Sequence, residues 1–443
     1  MINLRDVKWQ NVCMPISRAE SLEPFEYGAE YSAPVRGTWN IVHIAYLVPE
    51  SFQIFVCPQA CLRGVILTAA ELSDDGLNRF ATVCVQENNV LNGDMEALLI
   101  DGVSDILDKL DKKPRAVFLF SSCVHQFMGT DLKLVFSTLS KKYPMIDFID
   151  SYMNPIMRKK ITPDSLMRKQ LFSKLPNVKK DSKSVNIIGN LVPVLRESEM
   201  IRHLEKNGYI IKDICDYKTY DDFNKMGESA YNISYLPGAV FAAGELESRL
   251  GQKNIYMPFS YNFDVIDENY KMLTGILGIE NIETNELKNK VTDRCKALKE
   301  IIGNTAITID YTATPKPLSL ARFLISNGFN VTRVYADAFS GEEQENFEWL
   351  KSNAKDMEIC ATLHPAMEKF AHMSEEEMDN KVLAIGQKAA FYSKTNHFVN
   401  MLEADGLLGY EGIIRLLDMM DDAFMNEKDM RNIVTVKGWG CCA

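Results

Sequence analysis

Ala116-Val117-Phe118-Leu119-Phe120-Ser121-Ser122-Cys123-Val124-His125 opens with five apolar residues in a row. A run that does not alternate belongs to a strand covered on both faces, which is the situation of a parallel sheet under helices. The run passes directly into Ser-Ser-Cys, and a turn and a helix carrying Leu132, Leu134 and Val135 follow. Upstream, Ile54-Phe55-Val56 reads as a short buried strand ending in the turn Cys57-Pro58-Gln59-Ala60-Cys61. Arg79-Phe80-Ala81-Thr82-Val83-Cys84-Val85 reads as another strand. Between them and Ala116, Asp94 to Leu110 places Met95, Leu98, Leu99, Val103, Ile106, Leu107 and Leu110 at helical spacing.

The same rhythm of strand, loop, helix, glycine and strand recurs. A second block opens at Val185-Asn186-Ile187-Ile188-Gly189-Asn190, with a helix around Arg196 to Asn207, then Gly208-Tyr209-Ile210-Ile211 and Tyr231-Asn232-Ile233-Ser234-Tyr235. A third opens at Thr305-Ala306-Ile307-Thr308-Ile309-Asp310. A helix over 318–327, a strand over 330–335 and Lys381-Val382-Leu383-Ala384-Ile385-Gly386 follow. The fold class is therefore α/β, with parallel sheets covered by helices. Asn285 to Gly303, rich in Lys and Glu, reads as a helical connector. Residues 1–40, punctuated by Pro15, Pro24, Gly28, Pro34 and Gly37, read as an irregular arm that wraps a neighbour. The expected domains are 1–180, 181–303 and 304–443, since 443 residues exceed one hydrophobic core.

Composition narrows the function classes. A formal net charge of -11 argues against a nucleic-acid footprint, and the basic runs Arg158-Lys159-Lys160 and Lys179-Lys180 read as solvated surface. No apolar run reaches the roughly 20 residues that span a bilayer, and Met1-Ile2-Asn3-Leu4-Arg5-Asp6 lacks the pattern of a signal peptide. The expected location is the cytoplasm, where the ten cysteines are free thiols, metal ligands or small core residues rather than disulfides.

Cys13 beside Pro15, Cys61 after the first strand and Cys123 after Ala116–Phe120 lie next to turn-forming residues. Ligands of open α/β sheets bind at the carboxyl ends of strands, and thiolates from separate loops suit an iron–sulfur cluster or zinc. The wide spacing leaves three unrelated cysteines as the alternative. Cys84 reads either as a fourth ligand or as a strand residue facing the core, and Cys57 either as a ligand or as part of its turn. Cys215, Cys295 and Cys360 read as packing residues, and Cys441-Cys442 as a tail that binds metal, oxidises or stays disordered. His125, two residues after Cys123, is placed to tune a cluster by hydrogen bonding to sulfur. His43, His203, His364, His372 and His397 show no ligand spacing. No Gly-x4-Gly-Lys-Ser/Thr occurs, so no ATP site of that kind is expected on this chain. The catalytic residues are not readable from these motifs.

In their order along the chain, these segments resemble the nitrogenase component 1 family. That family comprises the subunits of the nitrogenase molybdenum–iron protein, its cofactor-assembly scaffold and the dark-operative protochlorophyllide reductase subunits. Cys57-Pro58-Gln59-Ala60-Cys61 resembles the family's Gly-Pro-x-x-Cys turn, with Cys57 in place of the glycine. Glu87–Asp94 resembles Glu-x-Asp-Ile-Val-Phe-Gly-Gly, Cys123–Leu132 resembles Cys-x5-Gly-Asp-Asp, and Cys13-Met14-Pro15 resembles the surroundings of the first ligand. Asn186–Asn190, Leu236-Pro237-Gly238 through Glu247, Ala384–Lys388 and Gly409-Tyr410-Glu411-Gly412 match the later domains.

The resemblance implies three Rossmann-like domains around a central cleft. It implies an oxidoreductase whose Cys13, Cys61 and Cys123 hold an iron–sulfur cluster, [4Fe-4S] or P-cluster-like, near the interface of a homo- or heterodimer. It also implies a second component 1-like subunit, and a separate iron protein that hydrolyses ATP and delivers electrons. In the family's catalytic subunit, a second-domain cysteine and a third-domain histidine hold a large cofactor. Here Tyr235-Leu236-Pro237-Gly238 has no cysteine, and His397 is offset by a couple of residues. A scaffold that builds a metallocofactor, and a redox-inert structural partner with core cysteines, are the competing readings.

Overall fold

The structure is a computed structural model and describes residues 8–26, 30, 31, 33, 35, 41–72, 76–153, 161–371 and 382–434. In chain order its strands are β1 (Cys13–Pro15), β2 (Ser51–Cys57), β3 (Phe80–Cys84), β4 (Ala116–Ser122), β5 (Asp147–Met153), β6 (Asp181–Ile188) and β7 (Ile210–Asp213). They continue with β8 (Ser229–Ser234), β9 (Lys253–Tyr256), β10 (Ala306–Asp310), β11 (Asn330–Tyr335), β12 (Glu358–Cys360), β13 (Val382–Ile385) and β14 (Phe398–Val399). They form three sheets, ordered β3-β2-β4-β5, β7-β6-β8-β9 and β1-β12-β11-β10-β13-β14.

Each sheet follows one plan. The first long strand of the block is central, the next strand joins one side and a later strand the other. The strand order therefore reverses beside β2, β6 and β10, which makes three topological switch points of Rossmann type. All pairings are parallel except β1 with β12. Parallel strands need covering on both faces, and every residue of β2 and β4 is buried. Phe55 and Phe120 stack across them with ring centres 4.0 Å apart. The polar members of β2 are satisfied locally: Gln53 Nε2 donates to the Val42 carbonyl at 2.9 Å, and Ser51 Oγ to that of Val48 at 2.7 Å.

The chain divides into two compact units. One comprises Trp39–Pro193 and Gly208–Tyr256 and holds the first two sheets; the other comprises Met1–Thr38, Val194–Asn207 and Met257–Ala443 and holds the third. The core of the first sheet gathers Ile54, Val56, Leu99, Val103, Leu107, Val117, Leu119 and Leu139. Leu99, Val103 and Leu107 come from the helix Met95–Lys109, as its apolar spacing predicts. The connector is the helix Asn285–Ile302, with Val291, Cys295, Leu298 and Ile302 on its buried face.

Part of the N-terminal arm is regular: Cys13–Pro15 is an antiparallel edge strand on β12 of its own unit, with Cys13 opposite Cys360. The run Arg158-Lys159-Lys160, His372 and the tail Cys441-Cys442 lie outside the described residues. Lys180 is not a solvated charge: its Nζ donates to the Gly227 carbonyl at 2.6 Å. Among the described residues no helix is long and apolar enough to cross a membrane.

Candidate metal centre

Three adjacent strands of the first sheet deliver thiols to one edge. β2 ends at Cys57, and Pro58 turns the chain into the helix Gln59–Leu72, whose first turn carries Cys61. The Cys61 N–H donates to the Pro58 carbonyl at 2.9 Å, which fixes that turn. β3 ends at Cys84, the register partner of Cys57, and the Val85 N–H donates to the Cys57 carbonyl at 3.1 Å. β4 ends at Ser122, and Cys123 begins the short helix Cys123–Phe127. Carboxyl ends of parallel strands at a switch point are where such sheets bind ligands.

The four thiols grade from inside to outside. Cys57 is buried, Cys61 and Cys123 are half-buried and Cys84 is exposed. Burial first, and then the like charges of Cys61, Cys84 and Cys123, push the Cys57 thiol up to about 12. Burial and Cys123 push Cys61 up as well. Among the described residues no three His, Cys, Asp or Glu side chains are grouped to grip a single metal ion. A polynuclear cluster sets inorganic iron and sulfide between its thiolates and so takes sulfurs that ring an edge without meeting at a point.

His125 belongs to this edge. Its Nδ1 accepts the Ser122 N–H at 3.1 Å, and burial holds the ring's pKa below its ordinary value. The neutral ring then carries its proton on Nε2. That atom is buried and has no hydrogen-bond partner among the described residues, a donor without an acceptor two residues from Cys123.

Cys13 is accounted for by a cross-link. It lies in the other unit, and its sulfur forms a disulfide with Cys360, with Cα atoms 4.1 Å apart. A sulfur bonded in that way is not a thiolate, so the ligand expected at Cys13 and the packing role expected of Cys360 are both replaced by a cross-link. The expectation that no cysteine pairs is corrected with them. Cys295 is buried in the helix Asn285–Ile302, as a packing residue should be. Cys215 is half-buried, and its thiol accepts from Asn190 Nδ2 at 3.7 Å. His203, His364 and His397 are engaged by Glu280 O, Ala366 N and Ala423 O respectively.

A second polar cluster, not anticipated from the sequence, lies at the switch point of the third sheet. Asp310 ends β10 and is fully buried; it accepts from the amides of Thr312 (2.7 Å) and Ala389 (2.7 Å). Burial pushes its carboxyl up, while these bonds and Lys388 pull the other way. Gly386, at φ +105°, leaves no Cβ to strike that carboxylate. Lys388 donates to Tyr311 Oη at 2.9 Å. The cue in the sequence was an acid closing a buried strand, opposite a glycine closing another.

Parallel sheets with switch points, the first with cysteines at its carboxyl edge, define an α/β protein of Rossmann-like architecture. The chain matches the family Nitrogenase component 1 type Oxidoreductase over residues 44–425 and belongs to that family. The solved structure of nitrogenase Cp1 at pH 6.5 is similar to it, with 17% identity and a TM-score of 0.65 over 92% of this chain and 96% of that one. Nitrogenase Cp1 at pH 5 is similar with 14% identity and a TM-score of 0.56, covering 94% of each chain. At such identities the likeness is one of fold. No curated protein matches the sequence.

Proposed function

We propose that this chain is a nitrogenase-like oxidoreductase subunit that holds an iron–sulfur cluster at the carboxyl edge of its first sheet, with Cys61 and Cys123 as ligands. In this reading each sheet with its helices, over 1–180, 181–303 and 304–443, is a Rossmann-like domain, β1 excepted. The cluster lies at a face shared with a second component 1-like subunit, receives electrons from an ATP-hydrolysing iron protein and passes them to a substrate. The observation that carries it is the placement of Cys57, Cys61, Cys84 and Cys123 at or just past the carboxyl ends of three adjacent strands in a member of this family.

The residues fit such a group chemically. Thiols that become soft thiolate donors on binding metal lie along the edge, and a buried imidazole N–H has no acceptor among the described residues. Bound there, the cluster supplies one-electron storage. The chain's part is to hold the sulfurs, to shield them on the Cys57 side and to set the polarity around them through His125. Tyr235-Leu236-Pro237-Gly238 offers no thiol, and His397 Nδ1 is spent on the Ala423 carbonyl at 3.0 Å. A second, larger cofactor is therefore no part of the proposal.

The exposed Cys84 favours one rival reading, a scaffold that assembles a metallocofactor and hands it on, because thiols at an open rim allow exchange with a recipient. Anaerobic purification with and without the partner subunit decides the first question. Iron, sulfide and charge-transfer absorption are expected, and their absence in both preparations would overturn the proposal. Iron that leaves for a recipient apo-protein, rather than electrons that leave for a substrate, would establish the scaffold.

A further inference from the structure

We propose that the unit of the third sheet carries a binding pocket for a free amino acid with a flat, apolar side chain, its carboxylate on Arg322, its ammonium on Asp264 and its ring against Phe323. The pocket uses none of the residues of the thiol edge and does not rest on the cluster reading.

The helix Pro317–Ser326 follows β10, and its helical spacing sets Ser319, Arg322, Phe323 and Ser326 on one face. That face borders a cavity of about 300 Å³, closed on its other sides by the start of the helix Phe263–Leu277 and by Asn346 of the helix Gln344–Asn353. The volume lies at the lower end of small-molecule sites. The Asn262 side chain caps the helix that begins at Phe263, its Oδ1 accepting the Asp264 N–H at 2.9 Å, which fixes Asp264 in the first turn.

Aromatic rings make one side of the pocket. Tyr261 and Phe263 flank Phe323, with ring centres 6.3 Å away in each case, and Phe263 meets Tyr410 edge-on at 5.1 Å. Tyr261 and Phe323 are buried, so these rings are already ordered and offer a further ring a surface to stack on.

Charge makes the ends. Arg322 Nη1 donates to Glu345 Oε1 at 2.8 Å and to Asn346 Oδ1 at 3.2 Å, while its Nε and Nη2 hold no hydrogen bond among the described residues. Two parallel bonds from a guanidinium edge are the way arginine takes a carboxylate. The Trp349 ring, 5.3 Å from Arg322 Cζ, steadies the guanidinium plane. Glu345 is a weak competitor, because its side chain is 78% exposed. Asp264 has no ion pair among the described residues. A ligand with a carboxylate alone meets Asp264 as a like charge, and one with an amine alone meets Arg322 so. A zwitterion with an apolar ring satisfies both ends and the wall between them.

Calorimetric titration of the full chain tests this with four probes: phenylalanine, alanine, phenylpropionate and phenethylamine. Phenylalanine should bind in the sub-millimolar range, and each of the other three should bind at least about tenfold more weakly. Arg322→Lys keeps the charge and loses the two-bond edge, and should weaken phenylalanine about tenfold. Asp264→Asn, on an exposed residue whose backbone cap is untouched, should weaken phenylalanine and strengthen phenylpropionate, a reversal that a merely structural role would not produce. No binding of phenylalanine would overturn the proposal. Phenylpropionate or phenethylamine binding as tightly as phenylalanine would do the same, as would phenylalanine affinity equal to the parent's in both variants.

Discussion

Glu199 and Gly409 share one volume. Gly409 sits at φ +72°, and a Cβ there would collide with the Glu199 carboxylate and the Tyr270 hydroxyl. The carboxylate instead accepts the amides of Tyr410 at 2.6 Å and Glu411 at 3.2 Å, together with the Tyr270 hydroxyl at 2.6 Å. These amides belong to the first turn of the helix Gly409–Met425, whose free N–H groups and dipole favour an anion. Gly409-Tyr410-Glu411-Gly412, noticed first as a family-like motif, is thus a helix start built around a carboxylate from a distant helix.

Gly409→Ala should therefore destabilise the unit by about 2–4 kcal/mol, the sum of a left-handed alanine and a forced displacement of Glu199. Denaturant titration reads this directly. A midpoint equal to the parent's would show that the carboxylate moves aside at no cost.

Cys13 and Cys360 close a loop over a sequence separation of 347. Removing such a cross-link costs about 2–4 kcal/mol, largely through the unfolded chain. Cys13→Ser should lose that much stability in oxidising buffer and nothing in reducing buffer, where the parent falls to the variant's level. Equal parent midpoints with and without reductant would mean that the pair does not form in solution.

Much of this architecture is written locally. β2, β4 and β10 announce themselves because strands covered on both faces are largely apolar, β6 by the buried run Val185–Ile188 at its end, and the helix Met95–Lys109 because one face repeats Leu99, Val103 and Leu107. β5 escaped because Asp147 and Asp150 break its apolar run; the Tyr220 and Tyr152 hydroxyls donate to one oxygen of each, both at 2.7 Å. β9 buries only Ile255, so no pattern marks it. β1 and β12 are three residues each and exist only because they pair.

The site divides in the same way. The strand-end placement of Cys61 and Cys123 was legible because each follows a buried strand. Cys57 and Cys84 were not decidable, since both also end strands, and which residue faces which is a register that a single sequence does not state. Cys13 misled for the converse reason: a cysteine beside a proline looks like a ligand loop until its partner across the strand is known.

Glu343 gives a pH test. It is buried, its Oε1 accepts the Ser319 amide at 2.8 Å, and its Oε2 has no partner among the described residues. Burial pushes its pKa up to about 8 from an ordinary 4.5. Between those values the folded chain holds a proton that the unfolded chain has lost, so stability falls as pH rises through this window and is fully present below it. Glu343→Gln keeps the acceptor and cannot ionise. Its thermal midpoint should decline less than the parent's between pH 5 and pH 8.5, and parallel pH profiles would mean that Glu343 ionises freely in the folded state.

His125→Phe isolates the last group at the thiol edge. The phenyl ring keeps much of the imidazole's bulk, loses the contact with the Ser122 amide at 3.1 Å, and removes the buried Nε2–H. Hydrogen bonds to cluster sulfur stabilise the reduced, more negative state. In a chain that has taken up its cluster, the variant should keep the iron content of the parent and reduce at a more negative potential, read by an anaerobic dye titration. His125→Gln, which retains an N–H donor, should recover part of the shift. An unchanged potential in the Phe variant would place the Nε2 proton away from the sulfurs and reduce His125 to a cap for its own short helix.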